Sequence, residues 1–322
     1  MREILNGGLL ILGFAFLIKG ADYFVDGSAL IAKKFGIPSV IVGLTIVSLG
    51  TSAPELAVST ISALNGNNGI AIGNVLGSNI FNTLVVLGGT AIVMPFFIKK
   101  NEIKKDFAIN SLVIVVLYIV SFGVVLNWNN GLLDRKDGLI LIFLCFIYTF
   151  TLIKYAIKKN VTKENHCKNI KIFRNLLKIF IGLIGIILGG ELVVDGASAL
   201  ASSLGMSSKL VGLTVVAMGT SLPELITSIV ASIKGENEIA MGNILGSNIF
   251  NILLILGVSS TINPITIYSG LRVDIIFLLI VTLFIGILIF ANKSSVKKFT
   301  RIEGCILVIT YFMYLVFIIS RN

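Results

Sequence analysis

Two glutamates, Glu55 and Glu224, stand in strongly apolar surroundings. Each ends a short polar string, GTSAPE at 50–55 and GTSLPE at 219–224, and hydrophobic residues flank both strings. A carboxylate near the centre of a bilayer costs several kcal/mol, so a glutamate at such a position indicates a functional site. The two carboxylates together supply two negative charges, which match one divalent cation or two or more monovalent cations.

Hydroxyl and amide side chains accompany both glutamates at helical spacing. Thr51 and Ser52 lie four and three residues before Glu55, so they share its helix face; the same relation holds in the second string. Two further strings, GNVLGSNIFN and GNILGSNIFN, place a serine four residues before an asparagine. The predicted polar side chains are Glu55, Glu224, Thr51, Thr220, Ser52, Ser221, Ser78, Ser247, Asn82 and Asn251.

Proline adds backbone oxygen to this set. Pro54 has no N–H for the Gly50 carbonyl, and its ring presses against that carbonyl, so the helix is expected to break there and free carbonyls nearby. Pro223 has the same relation to Gly219. Carboxylate, hydroxyl, amide and carbonyl oxygens suit hard cations such as Ca²⁺ and Na⁺ rather than Zn²⁺ or Cu⁺.

The elements that must position these residues are membrane helices. The chain has 322 residues, of which 56% are hydrophobic and 13% charged, against about 25% charged in an average soluble protein. Apolar runs long enough to cross a bilayer predict an all-α polytopic fold of ten transmembrane helices, because isolated spans must satisfy their own backbone. The spans lie near 5–32, 37–63, 69–95, 106–126, 137–158, 176–203, 208–233, 238–262, 271–291 and 301–320.

The basic residues predict the orientation. Alternating the loops across the membrane puts 19 Lys and Arg on one side and 7 on the other, and the richer side is expected to be cytoplasmic. Both termini then face outward from the plasma membrane. The charges are spread over short loops, so the net charge of +10 is a topology signal and not a nucleic-acid surface.

An internal duplication organises the spans. Residues 41–88 align with 210–257 at a constant offset of 169, with 28 identities in 48 positions. Five spans per copy is an odd number, so the second copy enters the membrane inverted, as in secondary transporters whose sites lie between the halves. The predicted units are a first five-helix repeat at 1–158, a short cytoplasmic loop at 159–175 and a second repeat at 176–322. A duplicated channel is compatible with this pattern; an enzyme would need only one active site.

The paired strings GTSAPE/GTSLPE and GNxxGSNIFN resemble the alpha-repeats of the calcium/cation antiporter superfamily, and most closely those of prokaryotic sodium/calcium exchangers. The resemblance covers both halves. It implies that spans 2, 3, 7 and 8 form a core holding four cation sites, and that spans 1 and 6 slide against this core. It implies no cofactor, since Ca²⁺ and Na⁺ are cargo, and no enzymatic activity.

The resemblance also implies roles for residues. The glutamates bind Ca²⁺ with the backbone carbonyls of Thr51 and Thr220. Sodium uses the glutamates with Ser52 and Ser78 on one side and with Ser221 and Ser247 on the other. The carbonyls of Ser48 and Ala217 complete the sodium sites, and Asn82 and Asn251 flank the centre. The Asn/Asn centre argues against potassium dependence, and loop 159–175 is too short for a calcium-sensing domain.

Three functions follow as hypotheses. The first is a sodium/calcium antiporter that extrudes Ca²⁺ by alternating access. The second is a proton-coupled calcium or cation antiporter. The third is an intramembrane aspartyl protease that uses Asp26 and Asp195. The expected partners are inorganic cations and the lipid bilayer, with no nucleic acid and no obligate protein partner.

Overall fold

The computed structural model describes residues 2–123, 131–160, 171–203, 217–291 and 293–321. Eight of its helices are long and apolar enough to cross a membrane, and a bent pair of helices makes a ninth candidate. The seventh predicted span, 208–233, is represented by the apolar helix Leu222–Ile233, and its first part lies outside the described residues. Most of the predicted loop 159–175 also lies outside them.

The helices follow the predicted spans closely. The first half contains α1 to α6, and the second contains α7 to α12. Their bounds are α1 Arg2–Phe35, α2 Ser39–Thr51, α3 Ala53–Leu64, α4 Asn68–Val93, α5 Lys100–Phe122, α6 Arg135–Asn160, α7 Ile172–Ser203, α8 Ala217–Gly219, α9 Leu222–Ile233, α10 Asn237–Ile262, α11 Ser269–Phe290 and α12 Arg301–Arg321.

Four short strands depart from the all-α prediction. Strand β1 (Phe96–Lys99) pairs antiparallel with β4 (Val296–Phe299), and β2 (Gly131–Leu133) pairs antiparallel with β3 (Ile265–Ile267). Each strand lies in a connection between helices, where it satisfies backbone groups that a helix end leaves free. The strands therefore join loops from the two halves and leave the helical architecture intact.

These loop contacts define two opposite ends of the molecule. At one end β1 pairs with β4, and Lys33 at the end of α1 forms an ion pair of 2.9 Å with Glu236. We call this the basic end. At the other end β2 pairs with β3, and the Asn68 amide donates to the Pro264 carbonyl at 2.7 Å. Loops that follow odd-numbered predicted spans meet at the basic end, as the alternating topology predicts.

Helices α4 and α10 form the centre of the fold. In the most apolar stretch of each helix, 94% of the residues are buried in α10 and 78% in α4, whereas only 22% are buried in α6 and in α12. Peripheral helices with little burial are expected to face lipid, whereas the central pair is enclosed by protein. Gly242 allows α2 and α10 to touch, because an added Cβ there would lie 2.5 Å from the Val40 carbonyl oxygen.

A second close contact joins α1 to α7. Added Cβ atoms at Gly20 and Gly27 would approach the α7 backbone to 2.7 Å and 2.8 Å, and Gly182 and Gly189 bring α7 equally close to α1. Small residues on both helices permit this contact between backbones. The two helices therefore pack antiparallel as one unit beside the core.

Candidate ion-binding site

The polar strings sit at a break between two helices. Helices α2 and α3 meet at an angle of 48°, and Ser52 between them has φ −82° and ψ 9°. Pro54 lies in the first turn of α3, where a helix needs no N–H from it. Pro223 occupies the same place in α9 after Ser221. The proline therefore starts a new helix at each break.

This arrangement places Glu55 and Glu224 in the first turns of α3 and α9. The positive end of a helix dipole favours a negative charge there. Both carboxylates are fully buried. The sequence pattern alone does not predict this stabilisation, because it depends on where each new helix begins.

Each carboxylate accepts hydrogen bonds from both halves of the chain. The Glu55 Oε1 accepts from Ser221 Oγ at 3.0 Å and from Ser78 Oγ at 3.5 Å. The Glu224 Oε1 accepts from Ser52 Oγ at 2.8 Å and from Ser247 Oγ at 3.4 Å. The serine at each break therefore donates a hydrogen bond to the glutamate of the other half.

This crossing corrects the expected grouping of the serines. The resemblance was taken to imply that Ser52 and Ser78 act together, and likewise Ser221 and Ser247. In the structure Ser52 and Ser247 share Glu224, while Ser221 and Ser78 share Glu55, with their Oγ atoms 3.0 Å apart. The hydrogen bonds therefore group the serines differently from the sodium sites that the resemblance implied, because the two breaks face one another across the centre.

Asn74 and Asn243 are site residues that the sequence analysis missed. The Asn243 Oδ1 accepts from the Thr51 hydroxyl at 3.1 Å, and its amide donates to Ser228 Oγ at 3.0 Å. Asn74 makes the corresponding contacts with Thr220 at 3.3 Å and with Ser59 at 2.9 Å. Both asparagines lie within the repeated GN strings, so the duplication itself was the signal that could have found them.

The two central asparagines begin segments of π-helix, at Asn82–Val86 and Asn251–Leu256. Such widened turns occur frequently at functional sites. The Asn251 amide donates to Asn79 Oδ1 at 3.0 Å, whereas neither amide atom of Asn82 has a hydrogen-bond partner among the described residues. The two asparagines thus have equivalent positions but different bonding.

The resemblance also implied backbone carbonyl ligands, and one of them, the Ser48 carbonyl, takes part in hydrogen bonds of its own helix. The Ser48 carbonyl already accepts from the Ser52 N–H at 2.9 Å and from the Thr51 hydroxyl at 3.3 Å. Ala217 begins the short helix α8 at the equivalent position. Their roles, like that of the Thr51 and Thr220 carbonyls, stay predictions.

Four unpaired oxygen atoms at the centre are of a kind that binds cations. Glu55 Oε2, Glu224 Oε2, Asn82 Oδ1 and Asn251 Oδ1 are buried and have no hydrogen-bond partner in the described part of the chain. No Lys, Arg or His in that part forms an ion pair with either glutamate. Two buried carboxylates without a positive partner require cations or protons, and the oxygen-only surroundings fit Na⁺ or Ca²⁺.

The aspartates of the protease hypothesis do not meet. Helices α1 and α7 are antiparallel, with Gly13 against Val193 and Gly27 against Asn175. Asp195 therefore lies near residue 13 of α1, about 20 Å along the helix from Asp26 at 1.5 Å per residue. Asp26 instead pairs with lysines. This geometry excludes a catalytic aspartyl dyad at these two residues.

Comparison with known proteins agrees with the geometry. The family model described as "Sodium/calcium exchanger protein" matches residues 5–154 and 175–320. The sodium/calcium exchanger MaX1 of Methanosarcina acetivorans is 31% identical over 346 residues, covering 96% of this chain and 97% of the relative. The inner membrane protein YrbG of Escherichia coli is 37% identical over 270 residues, covering 81% of each.

A solved structure is similar over nearly its whole length. The sodium-calcium exchanger NCX_Mj, soaked with 2.5 mM Na⁺ and 0.1 mM Ca²⁺, superposes with a TM-score of 0.81 at 33% identity, covering 97% of this chain and 98% of that one. Most of both repeats is included in these matches. The chain belongs to the sodium/calcium exchanger protein family.

Proposed function

We propose that this protein is a membrane antiporter that exchanges Na⁺ for Ca²⁺ through one shared set of oxygen ligands. The observation that carries the proposal is the buried pair Glu55 and Glu224, each with one unpaired carboxylate oxygen and no neighbouring cationic side chain among the described residues. The membership of the sodium/calcium exchanger family supports the same conclusion.

Shared ligands explain how one ion displaces the other. A Ca²⁺ ion needs both carboxylates, because two negative charges balance it in surroundings with few other charges. Sodium ions divide the same oxygens, one near Glu55 with Ser221 and Ser78, the other near Glu224 with Ser52. Since both ions cannot use the glutamates fully at once, binding of sodium lowers the affinity for calcium, which is the thermodynamic requirement for exchange.

The architecture that we propose for this exchange is ten helices in two inverted five-helix repeats. Hydrogen bonds related by the offset of 169 support it, since Thr51–Asn243 and Thr220–Asn74 are equivalent pairs. We place the basic end in the cytoplasm and both termini outside the plasma membrane, following the charge distribution. Inward movement of sodium then drives calcium outward.

Proton coupling is the competing hypothesis, because two buried carboxylates could release protons when a metal binds. An experiment with the purified protein in sealed vesicles separates the two. Uptake of radioactive calcium is measured after imposing an outward sodium gradient, an outward proton gradient or neither. We expect uptake with the sodium gradient only; uptake that follows the proton gradient and ignores sodium would contradict the proposal.

Potassium gives a second comparison in the same assay. Both central positions carry an uncharged amide, Asn82 and Asn251, so the site has no third carboxylate for an additional monovalent ion. Replacing external choline by potassium should leave the sodium-driven uptake unchanged. A strict requirement for potassium would show that the amides do not set this property.

A further inference from the structure

A cluster of charges at the basic end joins the α1–α7 unit to the core. Lys234, which follows α9, lies between two aspartates of α1: its Nζ is 2.6 Å from Asp22 Oδ1 and 2.6 Å from Asp26 Oδ1. It also donates to the Asp22 backbone carbonyl at 2.8 Å. Lys178 of α7 adds a longer contact of 3.6 Å to Asp26. One lysine of the core thus holds two carboxylates of the neighbouring unit.

This cluster is more than an exposed ion pair. The Lys234 side chain is only 24% exposed, and it makes three charge-assisted contacts, whereas isolated surface pairs contribute little. Partial burial opposes the charged form, but the hydrogen bonds that Lys234 donates to Asp22 and Asp26 outweigh it and raise the pKa of Lys234. The two aspartates therefore stabilise the charged form of the lysine.

Among the described residues, the equivalent acidic positions of the second copy take part in no such cluster. At the offset of 169, Asp22 and Asp26 correspond to Glu191 and Asp195, but Lys234 corresponds to Asn65. Within the described residues neither Glu191 nor Asp195 forms an ion pair. The duplication has kept the acidic residues at both pairs of positions, whereas of Lys234 and Asn65 only Lys234 is a cation.

We propose that Lys234 is a positioning residue that keeps the basic end closed by holding Asp22 and Asp26 of the α1–α7 unit against the core. The proposal rests on the proposed function, since it assigns one end of an alternating-access cycle. Separation of the α1–α7 unit from the core at this end would break the contacts of Lys234, so these contacts favour the state that is open at the opposite end. The asymmetry between Lys234 and Asn65 therefore sets which face the unloaded carrier prefers.

The test uses Lys234→Asn, which gives this position the residue of the other copy. Calcium affinity is measured with sodium-loaded everted membrane vesicles, which present the cytoplasmic face, and with right-side-out vesicles. We expect the ratio of the two apparent affinities to shift by about tenfold toward the cytoplasmic face, a typical coupling between conformational states. The maximal exchange at saturating calcium on both sides should still depend on sodium.

Two further variants make the result specific. Lys297→Gln removes an ion pair with Glu303 at the same end that does not reach α1 or α7, so it should leave the ratio unchanged. The variant Lys234→Arg keeps the positive charge beside both aspartates and should leave the ratio near the wild-type value. An equal change of both affinities in Lys234→Asn, or no change, would overturn the proposal.

A measurement without transport separates this proposal from the function itself. Hydrogen–deuterium exchange of the purified protein reports opening around residues 20–27, and Lys234→Asn should speed exchange there while Lys297→Gln does not. If the wild type shows no sodium-driven calcium flux, the proposed function fails while faster exchange still supports the contact. Unchanged exchange in Lys234→Asn shows that Lys234 does not hold this end closed.

Discussion

The two copies of the repeat agree around the glutamates and differ a few residues away. Ser52 bonds Glu224 as Ser221 bonds Glu55, and Asn74 and Asn243 each brace the break of the opposite copy. By contrast, the turn after α9 carries Lys234 and the equivalent turn after α3 carries Asn65. The comparison teaches that ion binding needs two matched halves, whereas the preference for one open face needs a difference between them.

The largest expected effect comes from removing either charge at the centre. Glu55→Gln and Glu224→Gln should each reduce sodium-driven calcium uptake at least about a hundredfold, because a unit charge pair at close range contributes about 4 kcal/mol even in partly polar surroundings. The two losses should be similar if the halves are equivalent. Glu236→Gln, at an exposed ion pair with Lys33, is the matched control and should keep most of the uptake.

The second-largest effect is expected when a cation is placed at the position of the first copy that is equivalent to Lys234. Asn65→Lys places a lysine at the position equivalent to Lys234, where Glu191 and Asp195 are the equivalents of the bound aspartates. It should shift the ratio of apparent calcium affinities by about tenfold, because it stabilises closure of the opposite end. The same two vesicle preparations measure it. Asn65→Gln is the control, and an unchanged ratio in the lysine variant would show that the ends are not equivalent.

The third prediction concerns the hydrogen bonds that the serines donate to the glutamate of the opposite half. Ser52 and Ser247 share Glu224, so the effects of Ser52→Ala and Ser247→Ala on apparent sodium affinity should couple by about 1 kcal/mol in a double-mutant cycle. The pair Ser52→Ala and Ser78→Ala, which bond different glutamates, should be additive within about 0.5 kcal/mol. Coupling of Ser52 with Ser78 and not with Ser247 would restore the grouping that the resemblance implied.

The smallest effect distinguishes the two central asparagines. Asn251→Ala removes a buried hydrogen bond to Asn79 and should lower the free energy of unfolding by about 1 kcal/mol. Asn82→Ala removes a side chain that bonds no described residue and should change it by less. Thermal unfolding in detergent without sodium or calcium measures both. A greater loss in Asn82→Ala would show that this amide has a structural role.

Much of the fold was predictable because membrane spans need long apolar runs. Helices α5, α6, α11 and α12 lie where hydropathy predicted them, and the loops meet at two ends as the alternating topology requires. The short strands were not predicted, since pairs such as Phe96 with Phe299 join segments about 200 residues apart. Nothing in the local sequence specifies that contact.

The site was predictable in composition but not in connectivity. Glu55 and Glu224 stand out because charge at membrane depth is costly, and the duplication marks their hydroxyl neighbours. The role of proline was only partly predicted. Pro54 lies in the first turn of α3, where the helix needs no N–H from it. Gly50 leaves room for the Phe24 ring of α1, which would lie 2.8 Å from a Cβ atom added at Gly50. That close approach depends on how α1 packs against the break.

The sequence by itself determined that this chain crosses a membrane in two related halves and carries two buried carboxylates among oxygen ligands. These properties follow from hydropathy, charge and an offset that need no coordinates. Only the tertiary structure decided that each serine serves the glutamate of the opposite half and that Lys234 holds Asp22 and Asp26. The reason is physical: such contacts form between segments far apart in the chain, and their partners are chosen by packing.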